Sequence, residues 1–281
     1  MSIDQMECFG NSLVQHGSAN DRVYLMKLHR DDFPQILGYI GGLALLHGYS
    51  KVFAKVPDYA RERFIQEGFC LEAAIPGLFN GDSDGLFMAR YYHPDRLIDH
   101  SADRVREVLE AARDKSASEA ECEADKNLEC RLATPSDRSQ MADLYRKVFA
   151  SYPFPIHQPS YLAETMAENV SYAGIWERGQ LLALASAEVD RDGGNAEMTD
   201  FATRPDCRGR GLATRLLREL EDLMSDAGIR TGYTIARATS FGMNITFAKN
   251  GYEYGGTLVK NTQISGGLES MNVWYKQLSA G

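Results

Sequence analysis

The chain has 281 residues, 44% hydrophobic and 25% charged, which is an ordinary globular composition with room for one large domain or two small ones. Acidic residues outnumber basic ones by 39 to 30, and the formal net charge of -9 argues against non-specific binding of nucleic acid. Five cysteines (Cys8, Cys70, Cys122, Cys130 and Cys207) are odd in number and contain no Cys-x-x-Cys pair, which argues against a disulfide framework and against a structural zinc site.

The first residues, Met1-Ser2-Ile3-Asp4-Gln5, carry an acid and no basic stretch, so they do not read as a secretory signal. The most apolar run, Ile36 to Leu46, is about half the ~20 residues needed to cross a bilayer. A cytoplasmic protein without a membrane partner is the expectation. Ser50 to Val56 reads as a strand, and Phe64-x-x-x-Gly68-Phe69 as the end of a helix followed by a turn. Arg104 to Asn127 is rich in Ala, Glu, Lys, Asp and Ser. Its first half is periodic enough for a helix (Val105, Val108, Leu109, Ala112) and its second half reads as a solvated linker. The expected organisation is therefore 1–103, a linker over 104–127, and a second domain over 128–281.

That second domain opens with a strand, Glu129 to Ala133. A helix start follows: Thr134 as N-cap, Pro135 in the first turn and Asp137 behind it. The helix continues through Met141, Leu144, Tyr145, Val148 and Phe149. Tyr152-Pro153-Phe154-Pro155-Ile156 is a stiff aromatic connection to a second helix. A hairpin follows, Val170 to Trp176 and Leu181 to Val189, and then a strand from Glu197 to Thr203. After that strand, Arg208-Gly209-Arg210-Gly211-Leu212-Ala213 opens a helix whose apolar residues (Leu216, Leu217, Leu220, Leu223, Met224) recur every three or four positions up to Gly228. Glycines at a helix start leave backbone N–H groups uncovered, and with the helix dipole they form a seat for phosphate. Gly232 to Arg237 reads as a strand, Ser240 to Asn250 as a helix, and Gly251-Tyr252 leads into the final strands. The order is β-α-α-β-β-β-α-β-α-β-β.

The two parts of the chain share a pattern. Phe64, Gly68, Met88 and Tyr92 lie 183 residues before Phe247, Gly251, Met271 and Tyr275. The first part thus looks like a degenerate copy of the end of the second. It lacks an Arg-Gly-x-Gly turn, so no cofactor is expected there.

Arg208-x-x-Gly211-x-Ala213 resembles the acyl-CoA pyrophosphate motif of the GNAT superfamily of N-acetyltransferases (Gln/Arg-x-x-Gly-x-Gly/Ala), and the resemblance covers roughly Leu128 to Leu278. It implies an α/β fold with a mixed, mostly antiparallel twisted sheet flanked by helices, here preceded by a smaller degenerate GNAT-like half. It implies acetyl-CoA as co-substrate and no metal. Arg208, Gly209, Arg210, Gly211, Leu212 and Ala213 would hold the pyrophosphate, with Ser240 in place of an Asn that often contacts the cofactor. The backbone of Phe201 would face the thioester carbonyl, and Ala202 and Thr203 would bond the pantetheine arm. Glu197, eleven residues before Arg208, matches the general-base glutamate of several members. A free alkyl ammonium has a pKa near ~10.4, so the nucleophile must lose a proton. Tyr152, Phe154 and Asp200 would line the acceptor site; Asp200 alternates to the face opposite Glu197 in a regular strand, and only a bulge between them would bring both to one pocket, where Asp200 would bind a substrate ammonium or anchor a loop. One departure stands out. Phe247 occupies the position where the superfamily often has a Tyr acid, leaving Tyr233, Tyr252 or Tyr254 as substitutes.

The segments Met198 to Thr203, Tyr233 to Ala238, Gly242 to Lys249, Glu269 to Lys276, Lys55-Val56-Pro57 and Glu72 to Pro76 resemble the β-lysine N-acetyltransferases in particular. That resemblance implies acetylation of the N6 amine of β-lysine, a small cationic amine, to give a zwitterionic compatible solute. Two alternatives stand beside it: an acetyltransferase of another small amine (polyamine, amino acid or aminoglycoside), and a non-catalytic acyl-CoA sensor.

Overall fold

The structure, a computed structural model, describes residues 4–116, 127–264 and 266–278. Met1 to Ile3, Cys122 and the second half of the expected linker lie outside the described residues. The elements in chain order are β1 (Gln5–Phe9), β2 (Ser12–Gly17), β3 (Arg22–Lys27), α1 (Ile36–His47), β4 (Lys51–Pro57), α2 (Arg61–Gln66), β5 (Cys70–Phe79) and β6 (Ser83–Tyr91). Next comes α3 (Ala102–Ser116). The second part contains β7 (Leu128–Leu132), α4 (Arg138–Val148), α5 (Pro159–Glu168), β8 (Val170–Glu177), β9 (Gln180–Asp190) and β10 (Asn195–Thr203). It ends with α6 (Leu212–Asp226), β11 (Thr231–Arg237), α7 (Phe241–Lys249), β12 (Glu253–Ile264) and β13 (Gly267–Gln277). Thr134 and Asp137 form a reciprocal capping box ahead of α4, as the Thr-Pro-Ser-Asp run suggests.

All the strands join one sheet in the order β1-β2-β3-β4-β6-β5-β12-β13-β11-β10-β9-β8-β7. Neighbours are antiparallel except β3 with β4 and β10 with β11. A parallel pair needs a crossover connection, and α1 and α6 supply these. The order β1-β2-β3-β4-β6-β5 repeats as β8-β9-β10-β11-β13-β12, with the parallel pair at the same place. Register repeats too. Ala54 pairs with Met88 and Arg237 with Met271; Val52 pairs with Arg90 and Ile235 with Val273. The 183-residue spacing therefore holds on both strands of each pair. The repeat reaches further back than the residue pattern did, taking in the three strands that precede α1.

The two parts meet edge to edge, β5 against β12, with Ala73 opposite Gly256. Gly256 has φ 143°, and a Cβ there would sit 2.2 Å from the Glu72 carbonyl oxygen, so only glycine lets the backbones approach this closely. Lys51, fully buried, bonds Glu72 within its own part (2.8 Å) and the Val259 carbonyl across the seam (2.8 Å). Helix α6 packs on one face of the second part through Leu216, Leu217, Leu220 and Met224. Helices α4 and α5 cover the other through Met141, Tyr145 and Leu162. A further cluster draws on both parts, joining Tyr24, Phe53 and Phe87 to Tyr233 and Val273.

Candidate active site

The site begins where two parallel strands part. β10 and β11 are paired from Asn195 opposite Thr231 to Glu197 opposite Tyr233, and no further. In the first part β3 and β4 stay paired through Leu25 and Ala54. By the 183-residue spacing, Lys51 to Ala54 correspond to Thr234 to Arg237, the stretch where β11 has left β10. The second part thus has an opening that its counterpart keeps closed by backbone hydrogen bonds.

β10 also carries a bulge. Thr199 faces Ser186 and Ala202 faces Leu184, so Asp200 and Phe201 together oppose one residue of β9. Asp200 takes a left-handed conformation, φ 54°. The extra residue swaps the faces of the strand: Met198 packs with α6, whereas Ala202 packs with α4 and α5. Strict alternation puts Asp200 opposite Glu197. The bulge instead brings Asp200 to Glu197's face, where it accepts hydrogen bonds from Tyr152 and from Ser186 Oγ (3.0 Å).

On the α6 side lies a groove of about 580 Å³ lined by Phe201, Thr203, Arg208, Gly209, Gly211, Leu212, Ala213 and Ser240. Gly209 (φ 78°) and Gly211 (φ 72°) adopt the left-handed conformation, and Gly211 is the N-cap of α6. A Cβ at either would meet nothing within 4 Å, so both face open space in front of the helix dipole. Two of the residues expected at the cofactor do not line this groove: Ala202 is buried, and Arg210 pairs with Glu177 at 3.0 Å. Phe247 is fully buried, its ring edge-on to Phe201 and Tyr252.

On the other side of the opening lies a cavity of about 460 Å³. Glu197 and Glu188, directly opposed on β10 and β9, both line it. Tyr152 and Phe154 form part of its wall, and Arg22 and Lys55 reach it from the first part of the chain. Asp200 is not in the wall; it anchors Tyr152 from behind. Burial, then the facing Glu197 and then Asp200 push the Glu188 carboxyl up to about 8, against the pull of Lys55. Glu197 is also raised by burial, but Lys55 and a hydrogen bond from Tyr233 favour its charged form. Of the two, Glu188 therefore holds a proton more readily, while Lys55 and Tyr233 favour the charged form of Glu197. Lys55 Nζ donates to the Tyr233 hydroxyl at 2.9 Å, completing a Lys55–Tyr233–Glu197 chain.

Of the tyrosines that could replace the missing acid, Tyr233 lines this cavity. Tyr254 is engaged with Thr257 Oγ1 (2.5 Å), and Tyr252 is buried against Phe247. Glu188, Lys55 and Arg22 escaped the sequence reading. Glu188 belongs to the site only through cross-strand register, and the other two only through the packing of one part of the chain on the other.

A parallel pair that opens beside a bulged strand, a glycine turn heading the crossover helix, and a carboxylate beside the opening define an acyl-CoA-dependent N-acyltransferase. Residues 138–252 match the Acetyltransferase (GNAT) family. The chain is 37% identical over 95% of its length, and 96% of the relative's, to a protein named β-lysine N(6)-acetyltransferase from Methanococcus maripaludis. It is 36% identical to N-acetyltransferase YodP of Bacillus subtilis over 81% of each chain. A β-lysine N(6)-acetyltransferase of Methanosarcina mazei is 42% identical over 53% of this chain and 55% of its own. The chain belongs to the GNAT acetyltransferases, in the family that includes the β-lysine N6-acetyltransferases. Members of this superfamily use acetyl-CoA. Among the described residues no cluster of three or more His, Cys, Asp or Glu could hold a metal ion, and no helix is long and apolar enough to cross a membrane.

Proposed function

We propose that the protein transfers the acetyl group of acetyl-CoA to the N6 amine of β-lysine, giving N6-acetyl-β-lysine. The observation that carries the reading is the carboxylate pair: Glu197 is the last paired residue before β10 and β11 part, so its charge stands where acceptor and thioester would meet. Acetyl-CoA lies in the groove with its pyrophosphate on the turn from Arg208 to Ala213. Its pantetheine arm threads the opening, bonded by the backbone of Thr203, and Ser240 contacts it from the N-cap of α7. The Phe201 N–H, freed by the bulge, faces the thioester carbonyl.

The acceptor enters the acidic cavity as an ammonium and gives its proton to Glu197, whose raised proton affinity suits it to that task. The amine nitrogen then attacks the carbonyl carbon. The C–N bond forms, the C–S bond breaks, the nitrogen gives its second proton to solvent, and the thiolate leaves with the proton from the Tyr233–Glu197 chain, which returns Glu197 to its charged form. A thiol of pKa near ~8.5 needs little help, which accommodates Phe247. The relatives' names support β-lysine as acceptor. We also infer that residues 1–103 are a partial copy of the catalytic domain 128–281, recruited to wall the acceptor cavity. Release of free CoA thiol on adding β-lysine to enzyme and acetyl-CoA tests the reading; no release above background would remove it.

A further inference from the structure

The acceptor cavity has two electrically opposite ends, and one of them lacks a partner. Glu188 and Glu197 form the acidic end, beside the opening between β10 and β11. At the other end stands Arg22, the first residue of β3, only 5% exposed yet part of the cavity wall. Its guanidinium lies 5.1 Å from the centre of the Tyr24 ring and 5.7 Å from that of Phe53. Nη1 donates to the Asn261 carbonyl and, weakly, to Thr262 Oγ1 at 3.4 Å. The buried Nε has no hydrogen-bond partner among the described residues.

Among the described residues no carboxylate pairs with this arginine. The nearby charges are Asp4, which attracts it, and Arg96, which repels it. Burying a cation without a counter-ion is costly. Of the other cations in the wall, Lys27 pairs with Asp190 (3.2 Å) and Asp192 (3.3 Å), Lys55 serves Tyr233, and Arg191 is exposed to solvent, unlike the buried Arg22. Tyr24 lines the same cavity, within electrostatic reach of Arg22 and of both Glu197 and Glu188.

We infer that Arg22 binds the carboxylate of the acceptor, so that the first part of the chain selects amino acids over simple amines. The assignment rests on the acceptor reading above. A guanidinium fork matches a carboxylate in geometry, and the aromatic rings beside it fix the plane in which it donates. The substrate class is an amine that carries a carboxylate at its far end: the amine meets Glu197, the carboxylate meets Arg22, and the cavity between sets the chain length. The site therefore discriminates by an unpaired buried charge. An acceptor without a carboxylate leaves Arg22 uncompensated, which rejects it more strongly than poor shape fit could.

The test compares β-lysine with 1,4-diaminopentane, which has hydrogen in place of the carboxylate, in the full-length protein. Wild type should favour β-lysine by about 30-fold or more in kcat/KM. Arg22→Met should raise KM for β-lysine by a similar factor, leave kcat within a few-fold, and raise kcat/KM for the diamine, because the uncompensated charge that rejects it is gone. Arg22→Lys keeps the charge but loses the fork; it should raise KM for β-lysine with the diamine unaffected, and it serves where Arg22→Met does not fold. An unchanged KM for β-lysine in either variant overturns the assignment. So does an equal loss on both acceptors in a variant whose melting temperature and CoA affinity match wild type. Wild type that does not acetylate β-lysine at all overturns the acceptor reading itself, before any variant is made.

Discussion

Lys55→Met should move the acid limb of kcat/KM to higher pH. Lys55 belongs to the first part of the chain, yet its ammonium bonds Tyr233 at 2.9 Å, and Tyr233 bonds Glu197. Two hydrogen bonds in series put the ammonium within about 5.5 Å of the Glu197 carboxylate, since each spans roughly 2.7–2.9 Å. At an effective dielectric of ~20, two unit charges at that separation interact by about 3 kcal/mol, an upper bound of about two pKa units. The cavity admits solvent, which screens the pair, so one to two units is the expected shift.

The sign follows from the role. Glu197 must be deprotonated to accept a proton; Lys55 favours the deprotonated form; its removal raises the pKa of Glu197. Activity then falls away at a higher pH as the solution is acidified. On the acid side of both limbs kcat/KM should drop by about ten- to hundredfold, the size of the shift, and recover towards the wild-type value as pH rises. The assay is steady-state thiol release from pH 5.5 to 9.5 under kcat/KM conditions, which report the free enzyme's ionisations. An acid limb that stays put, or moves to lower pH, would refute the electrostatic coupling between the two parts of the chain.

Glu197→Gln keeps the shape and removes the proton acceptor, so kcat/KM at pH 7 should fall by about 10²–10³ and recover in part at high pH, where free amine appears. Glu188→Gln mimics the protonated form and should stay within about tenfold of wild type at pH 7; equal losses in the two variants would mean that the roles are not divided as described. Gly211→Asp places a β-carbon and a negative charge in the open space before α6, in a backbone conformation of φ 72° that disfavours side chains. CoA affinity by calorimetry should fall at least tenfold, and unchanged affinity in a folded variant would remove the pyrophosphate assignment.

The strand–turn–helix unit around Gly209 and Gly211 was legible because its signals are local: glycines at left-handed positions, then apolar residues at helical spacing. The capping box at Thr134 and Asp137 was legible for the same reason. The side on which Asp200 lies stayed open in the sequence because alternation along a strand is also a local rule, and a bulge breaks it without leaving a glycine to mark the place. Glu188 carries no signal of its own. It matters because register sets it against Glu197 and burial raises the proton affinity of both carboxyls. Arg22 and Lys55 lie more than 150 residues from the residues they serve, in a part of the chain whose likeness to the catalytic part survives at Phe64, Gly68, Met88 and Tyr92. The first three strands kept the arrangement of β8 to β10 without keeping recognisable residues, since sheet order depends on apolar alternation and not on identity.

The central claim is tested most directly by the product. Enzyme, acetyl-CoA and β-lysine should yield a singly acetylated product whose fragmentation in mass spectrometry places the acetyl group on N6. The rate should exceed that with α-lysine, spermidine or a peptide amine under the same conditions. Acetyl on the β-amino group, or equal rates across the four acceptors, would contradict the account.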